Sequence, residues 1–99
     1  MRVDQAEIYS DEINKAVIRH PDRRFPGVLV QGDTLWGLCF TVDKLCASSR
    51  DQLAPDQFED LNKLRNSLWG FLTHYKAVLG EHDIPLPFSE IPVHVSGEA

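Results

Sequence analysis

Arg24-Phe25-Pro26-Gly27-Val28-Leu29-Val30-Gln31-Gly32-Asp33-Thr34 is the stretch of this 99-residue chain that decides its fold. Its middle, residues 27–31, is apolar on consecutive positions, which is typical of a strand buried on both faces or placed centrally in a small sheet. The run stops at Gly32, and either Asp33 or Thr34 is expected to accept free N–H groups of a new helix as its N-cap. The stretch therefore predicts a strand that leads directly into a helix.

Two shorter strand patterns precede this stretch, at residues 6–10 and 16–20. The first alternates apolar and polar residues, and the second holds the β-branched run Ala16-Val17-Ile18. Short connections usually join neighbouring strands of one sheet. Together with residues 27–31, the patterns predict a small three-stranded, mainly antiparallel sheet.

Two helices are predicted after the sheet, at about 34–49 and 55–80. The first carries an apolar stripe at helical spacing, formed by Leu35, Leu38, Cys39, Val42, Leu45 and Cys46. Pro55 suits the first position of the second helix. Helices joined by so short a loop form an antiparallel pair, which we expect to cover the sheet. The prolines after residue 83 favour an extended strap over 83–99. The sequence thus predicts one α+β domain over residues 1–99.

The composition is that of a globular chain with no membrane segment. The fractions of apolar residues, 42%, and of charged residues, 25%, are ordinary. The N-terminus lacks the apolar core of a signal peptide, and no apolar run approaches the roughly 20 residues of a transmembrane helix. Cys39 and Cys46 lie too far apart along one helix to form a disulfide and are expected to be reduced and buried. These features predict a cytoplasmic protein.

A basic segment stands out against a net charge of −5. Residues 15–24 hold four basic residues and one acidic residue, a net charge of +3, so the remainder carries −8. The overall charge argues against nucleic acid as a partner. The segment is nevertheless a candidate site for a phosphate or another anion, through Arg19, His20, Arg23 and Arg24. The alternative is a solvated turn whose arginines pair with nearby acids.

No catalytic set, metal site or cofactor site emerges from the sequence. The four histidines are scattered, and neither Cys-x-x-Cys nor His-x-x-x-His spacing occurs. Both cysteines fall on the apolar stripe of their helix. We therefore expect a protein that is not an enzyme and that needs no cofactor.

Aromatic residues give the first helix a second apolar side. Trp36 and Phe40 stand four residues apart, away from the side of Leu38, Val42 and Leu45. The two apolar sides are covered either within the protein, by the sheet and by the second helix or strap, or in part by a partner, since Trp and Phe are frequent interface anchors. Trp69, at the margin of the second helix's apolar face, fits either arrangement.

The chain resembles a group of short, uncharacterised bacterial proteins. The residues that carry the likeness are Glu7–Ser10, Asn14, Ala16-Val17, Arg19, Pro21, Arg23–Val28, Gln31–Leu35, Leu61-Asn62, Leu64–Asn66, Leu68, Leu72–Lys76 and Leu86–Phe88. This resemblance implies a bacterial domain of unknown function and no particular activity.

A narrower likeness covers residues 26–35, which resemble the strand-to-helix junction of HicB-type antitoxins. It implies three strands before a helix and a protein that neutralises a small ribonuclease toxin. The chain departs from that pattern because a long helix stands where a fourth strand is expected, and no C-terminal DNA-binding unit is recognisable.

The function predicted from these observations is a non-enzymatic protein-interaction module, with self-association into a homodimer as one form of that role. The residues that would bind the partner are Trp36, Phe40 and Trp69. Two alternatives stay open: an antitoxin-like or immunity-like protein that neutralises a partner, and a small-ligand or phosphate-binding protein that uses the basic turn at 19–24.

Overall fold

Three short strands come first in the computed structural model, which describes residues 1–89. They are β1 (Glu7–Ser10), β2 (Ala16–Arg19) and β3 (Gly27–Leu29). Their order in the sheet is β1-β2-β3, and both pairings are antiparallel. Two helices follow, α1 (Gly32–Ser49) and α2 (Pro55–Glu81). The predicted α+β fold is confirmed, and the element boundaries agree with the predicted ones to within two residues.

The register of the sheet separates its side chains into two faces. Arg19 lies opposite Glu7, and Val17 lies opposite Val28, so these four share one face because alternate residues point the same way. The other face is apolar and is formed by Ile8, Ala16, Ile18 and Leu29. Of these, only Ala16 is buried, while Ile8 and Leu29 are 61% and 54% exposed.

Two expectations for the sheet are wrong. β3 is an edge strand instead of a central one, and all three of its residues are exposed. The helices pack on each other, but the described residues of the sheet make little contact with them, so the helices do not cover the sheet. The spacing of apolar residues and the composition of a strand show that it can be buried. They do not show which other element covers it.

Helix α1 begins earlier than predicted and without a side-chain cap. Its first residue is Gly32, and Gln31 in extended geometry takes the N-cap position with no side-chain hydrogen bond. The expectation that Asp33 or Thr34 caps the helix is therefore wrong. Instead, the Thr34 N–H donates to the Oδ1 atom of Asp33 at 2.8 Å, inside the first turn.

Helix α2 starts at Pro55, as predicted, and runs for 27 residues, about 40 Å at 1.5 Å per residue. Gln57 satisfies the backbone at its start, because the Ala54 N–H donates to the side-chain oxygen of Gln57 at 3.1 Å. At its end the Ile84 N–H donates to the carbonyl of Leu79 at 2.9 Å. The described part of the predicted strap, residues 83–89, forms no helix or strand. The rest of the strap lies outside the described residues.

The antiparallel helix pair buries a small core. Cys39 and Leu72 are fully buried, and Val42 and Cys46 are nearly so. Both cysteines are free thiols, as predicted. Burial raises the pKa of the Cys39 thiol, which keeps it protonated and unreactive. The Cys46 thiol points toward Asn62, whose amide oxygen lies 3.8 Å away.

Asp43 joins the two helices at the margin of this core. The Nε–H of Arg65 donates to Asp43 Oδ1 at 2.5 Å, and the indole N–H of Trp69 donates to the same oxygen at 2.9 Å. The Asp43 side chain is only 17% exposed. Its hydrogen bond raises the pKa of the Arg65 guanidinium. We call these three residues the Asp43 cluster.

Gly32→Ala is expected to lower the free energy of unfolding by about 1–3 kcal/mol, the usual range for overpacking. The ring end of Tyr75 occupies the space that a Cβ at position 32 would need. Gly37→Ala is the matched control in the same helix, because no atom lies within 4 Å of a Cβ there. Its higher helix propensity should stabilise by up to about 1 kcal/mol. Urea unfolding followed by circular dichroism, at one protein concentration, measures both. Equal changes in the free energy of unfolding for the two variants would contradict the packing of Gly32 against Tyr75.

Asp43→Asn is expected to destabilise the chain by about 1–2 kcal/mol. Hydrogen bonds to charged groups contribute about 1.5–3 kcal/mol, and the 42% exposure of the Arg65 side chain screens part of that. Asp51→Asn, at an exposed position between the helices, is the control and should change stability little. The same urea experiment checks both variants, and an unchanged midpoint for Asp43→Asn would show that the charge of the Asp43 cluster is unimportant.

Candidate interaction surfaces

The aromatic residues singled out on α1 form a stack. The Trp36 and Phe40 rings lie nearly parallel, 5.5 Å apart between centroids, as their four-residue spacing on a helix allows. Trp36 also stacks with Phe88 of the described C-terminal segment, with 5.8 Å between ring centroids. The side chains of all three are half-buried. The protein's own tail therefore supplies part of the cover for this second apolar side of α1.

Trp69 lies in the Asp43 cluster, on the surface that joins the two helices. It is half-buried, and its indole N–H is satisfied by the Asp43 carboxylate. The structure thus brings Trp36 and Phe40 together and uses Trp69 between the helices. A role for the three in binding a partner stays a prediction.

A different apolar surface of the helix pair is more exposed. Its four side chains are spaced by seven residues on each helix, and their exposed fractions are 47%, 49%, 53% and 65%. We call this surface the hairpin face; its residues are Leu38, Leu45, Leu64 and Phe71. Scattered single apolar residues are ordinary on a protein surface, but a contiguous patch is typical of an interaction site.

The Asp43 cluster shows that all four residues lie on the same side of the pair. At 100° per residue, Asp43 lies on one flank of the buried stripe of α1, and the two leucines of the hairpin face lie on the other. Around α2, Trp69 lies on one flank, and Leu64 and Phe71 lie on the other. Since Asp43 accepts a hydrogen bond from Trp69, the flanks that carry these two residues lie on the same side of the helix pair. The apolar flanks of α1 and α2 must then both lie on the opposite side of the pair.

The hairpin face consists of two pairs of residues at different heights along the helix axes, which we call levels. Each level has one residue from α1 and one from α2. The antiparallel register is set at one end by Gly32 against Tyr75 and at the other by Cys46 beside Asn62. The levels are separated by seven residues, about 10 Å along each helix. They consist of Leu38 with Phe71 and of Leu45 with Leu64. This spacing is that of the apolar seam in helix bundles.

The sequence pattern did not predict this surface, because Leu38 and Leu45 belong to the apolar stripe of α1 that was expected to be buried. The signal was present in the width of the stripe. Six apolar residues spread over about 120° present a wider arc than one partner helix can bury. The structure buries one side of the arc, at Cys39, Val42 and Cys46, and leaves the other side exposed.

The basic turn is partly neutralised by the sheet. The Arg19 Nε–H donates to Glu7 at 2.6 Å, and its Nη1 donates to the carbonyl of Arg23 at 3.0 Å. The hydrogen bond from Arg19, aided by one from Tyr9, lowers the pKa of Glu7, and the same bond raises the pKa of Arg19. Arg19 therefore holds a strand pair together across the sheet.

The other residues of the turn are exposed. The His20 Nδ1 accepts the Asp22 N–H at 3.0 Å, which is a local turn contact. The guanidinium of Arg24 lies over the ring of Phe25 at 5.3 Å. Arg23 and Arg24 remain on the surface beside β3. Binding of an anion at this turn stays a prediction.

A cleft of about 250 Å³ lies on the side of the hairpin opposite the hairpin face. It is lined by Asp43, Cys46, Ala47, Arg50, Phe58, Asn62 and Arg65. Its charged groups include the two partners of an ion pair, Asp43 and Arg65, and the Arg50 guanidinium lies over the Phe58 ring at 5.9 Å. The polar groups of the cleft thus already contact one another across the hairpin.

Among residues 1–89, no group of three or more His, Cys, Asp or Glu side chains is placed to hold a metal ion. Neither described helix combines the length and the apolar character required to cross a membrane.

Comparison with known proteins gives a match to a family model. No curated protein and no solved structure matches the chain. The local likeness of residues 26–35 to HicB-type antitoxins stays a prediction. One family model matches residues 1–88, and this confirms the resemblance to a group of uncharacterised proteins. The chain belongs to the family described as Family of unknown function (DUF6959).

Proposed function

We propose that this protein is a non-enzymatic interaction module that self-associates through the hairpin face. The observation that carries the proposal is the exposure of four large apolar side chains at two levels on one side of the helix pair. When the apolar side of a helix is wider than the part that is buried within the chain, the remaining part needs another surface to pack against. A second copy of the chain supplies a matching surface, because a two-fold interface is built from the same patch on both partners.

Two hairpin faces brought together form a four-helix arrangement. The seven-residue spacing on both helices lets the side chains of one copy pack between those of the other, as in bundles whose helices cross at about 20°. Leu68, half-buried on α2 between Leu64 and Phe71, extends the seam. The association buries apolar area that would otherwise remain in water, at about 25 cal/mol per Å².

Leu64→Lys is expected to lower the molar mass of the assembly, because it places a charge in the centre of the apolar seam. The measurement is molar mass by light scattering after size exclusion, over a range of protein concentrations. Since Leu64 is already 53% exposed, the helical circular dichroism of the variant should stay unchanged.

Ile84→Lys is the matched control, because Ile84 is 51% exposed but lies after α2 and outside the hairpin face. This variant should have the same molar mass in solution as the unchanged chain. A chain that is monomeric at every concentration, or a Leu64→Lys variant that assembles like the control, would contradict the proposal. In the first case the hairpin face would be open to a different protein, as the neutralisation alternative requires.

A further inference from the structure

Among residues 1–89, the outer edge of β3 carries neither a charged side chain nor a bulge. Gly27, Val28, Leu29 and Val30 are uncharged, and the three large residues among them are 61%, 54% and 39% exposed. Edge strands are usually protected by charged side chains, bulges or a covering element. Pro26 lacks an N–H group, but it precedes the strand and leaves residues 27–30 able to pair.

The opposite edge of the same sheet differs. β1 contains an irregularity between Ile8 and Ser10, where its register with β2 shifts. It also carries Glu7, which is bonded to Arg19. A bulge and a charge are common means of blocking strand addition. Within the described part of the chain, the β1 edge is thus protected and the β3 edge is open.

The residues of β3 are those of a central strand. Val28 lies on the face shared with Val17, and Leu29 lies on the face shared with Ala16, so β3 offers an apolar side chain to both faces. Such a pattern is typical of strands with neighbours on both sides. The conflict between this pattern and the edge position is resolved if another strand pairs with β3.

We propose that β3 pairs antiparallel with β3 of a second copy, which joins the two sheets into one of six strands. This inference rests on the self-association proposed above and identifies a second contact surface for it. Backbone N–H and C=O groups at the outer edge of β3 would then be paired, as they are in the interior of a sheet.

The charges that flank β3 favour a second copy in the antiparallel direction. Arg23 and Arg24 precede the strand, and Asp33 follows it in the first turn of α1. When two β3 strands pair antiparallel about Val28, the basic end of each lies toward the acidic end of the other. Parallel pairing would place the arginines of both copies together. Opposite charges attract and like charges repel at such distances.

Hydrogen exchange of the full chain at high and low concentration tests this pairing. In the unchanged chain, the outward N–H groups of residues 27–30 should be protected at high concentration and should lose that protection on dilution. Val28→Lys adds a charge at the open edge and should remove the protection and lower the molar mass. Ile8→Lys is the matched control, because Ile8 is also 61% exposed but lies on β1. This variant should retain the protection of residues 27–30 and the molar mass of the unchanged chain.

A Val28→Lys chain that keeps the molar mass and the protection of residues 27–30 would overturn the pairing. Because that variant can also fail to fold, the unchanged chain gives a second measurement. Mixed samples of differently isotope-labelled chains should show intermolecular contacts between Hα atoms of residues 27–30. An assembled chain that lacks these contacts refutes the β3 pairing alone. A Leu64→Lys chain with the same molar mass as the unchanged chain refutes the role of the hairpin face alone.

Discussion

The Asp43 cluster sets how the two helices are turned toward each other. One carboxylate oxygen accepts hydrogen bonds from both Arg65 and Trp69 on α2. Because both donors lie on one flank of α2, the rotation of each helix about its axis is determined. Burial of small side chains such as Cys39 and Cys46 does not by itself define that rotation, since apolar contacts are non-directional. The directional bonds therefore decide which apolar residues face inward.

The consequence of that rotation is an uncovered surface. With Asp43 on one side of the pair, the hairpin face lies on the other, and in the described residues the sheet makes little contact with either helix. The chain divides into a helix pair and a small sheet, each of which leaves apolar side chains in water. Association between copies would cover the helix pair at the hairpin face and would pair the backbone of the sheet at the β3 edge.

Much of the fold was predictable from local patterns. Strands, helices, their order and the reduced state of both cysteines followed from periodicity and from Pro55 at a helix start. The candidate surfaces were harder to predict. Trp36 and Phe40 were identified as an apolar pair, but their contact with Phe88 joins residues about 50 positions apart. The exposure of Leu38 was not predicted, because the apolar stripe of α1 has the same pattern whichever of its sides is buried.

The sequence by itself determined what each segment forms, because helix and strand preferences depend on neighbours a few residues away. It also determined that the segments around Gly27–Thr34 pass from strand to helix without a long loop. Only the tertiary structure decided that β3 lies at the edge of the sheet and that the hairpin face points outward. Those outcomes depend on contacts between distant residues, above all Asp43 with Arg65 and Trp69, and a local pattern contains no record of which distant partner each side chain meets.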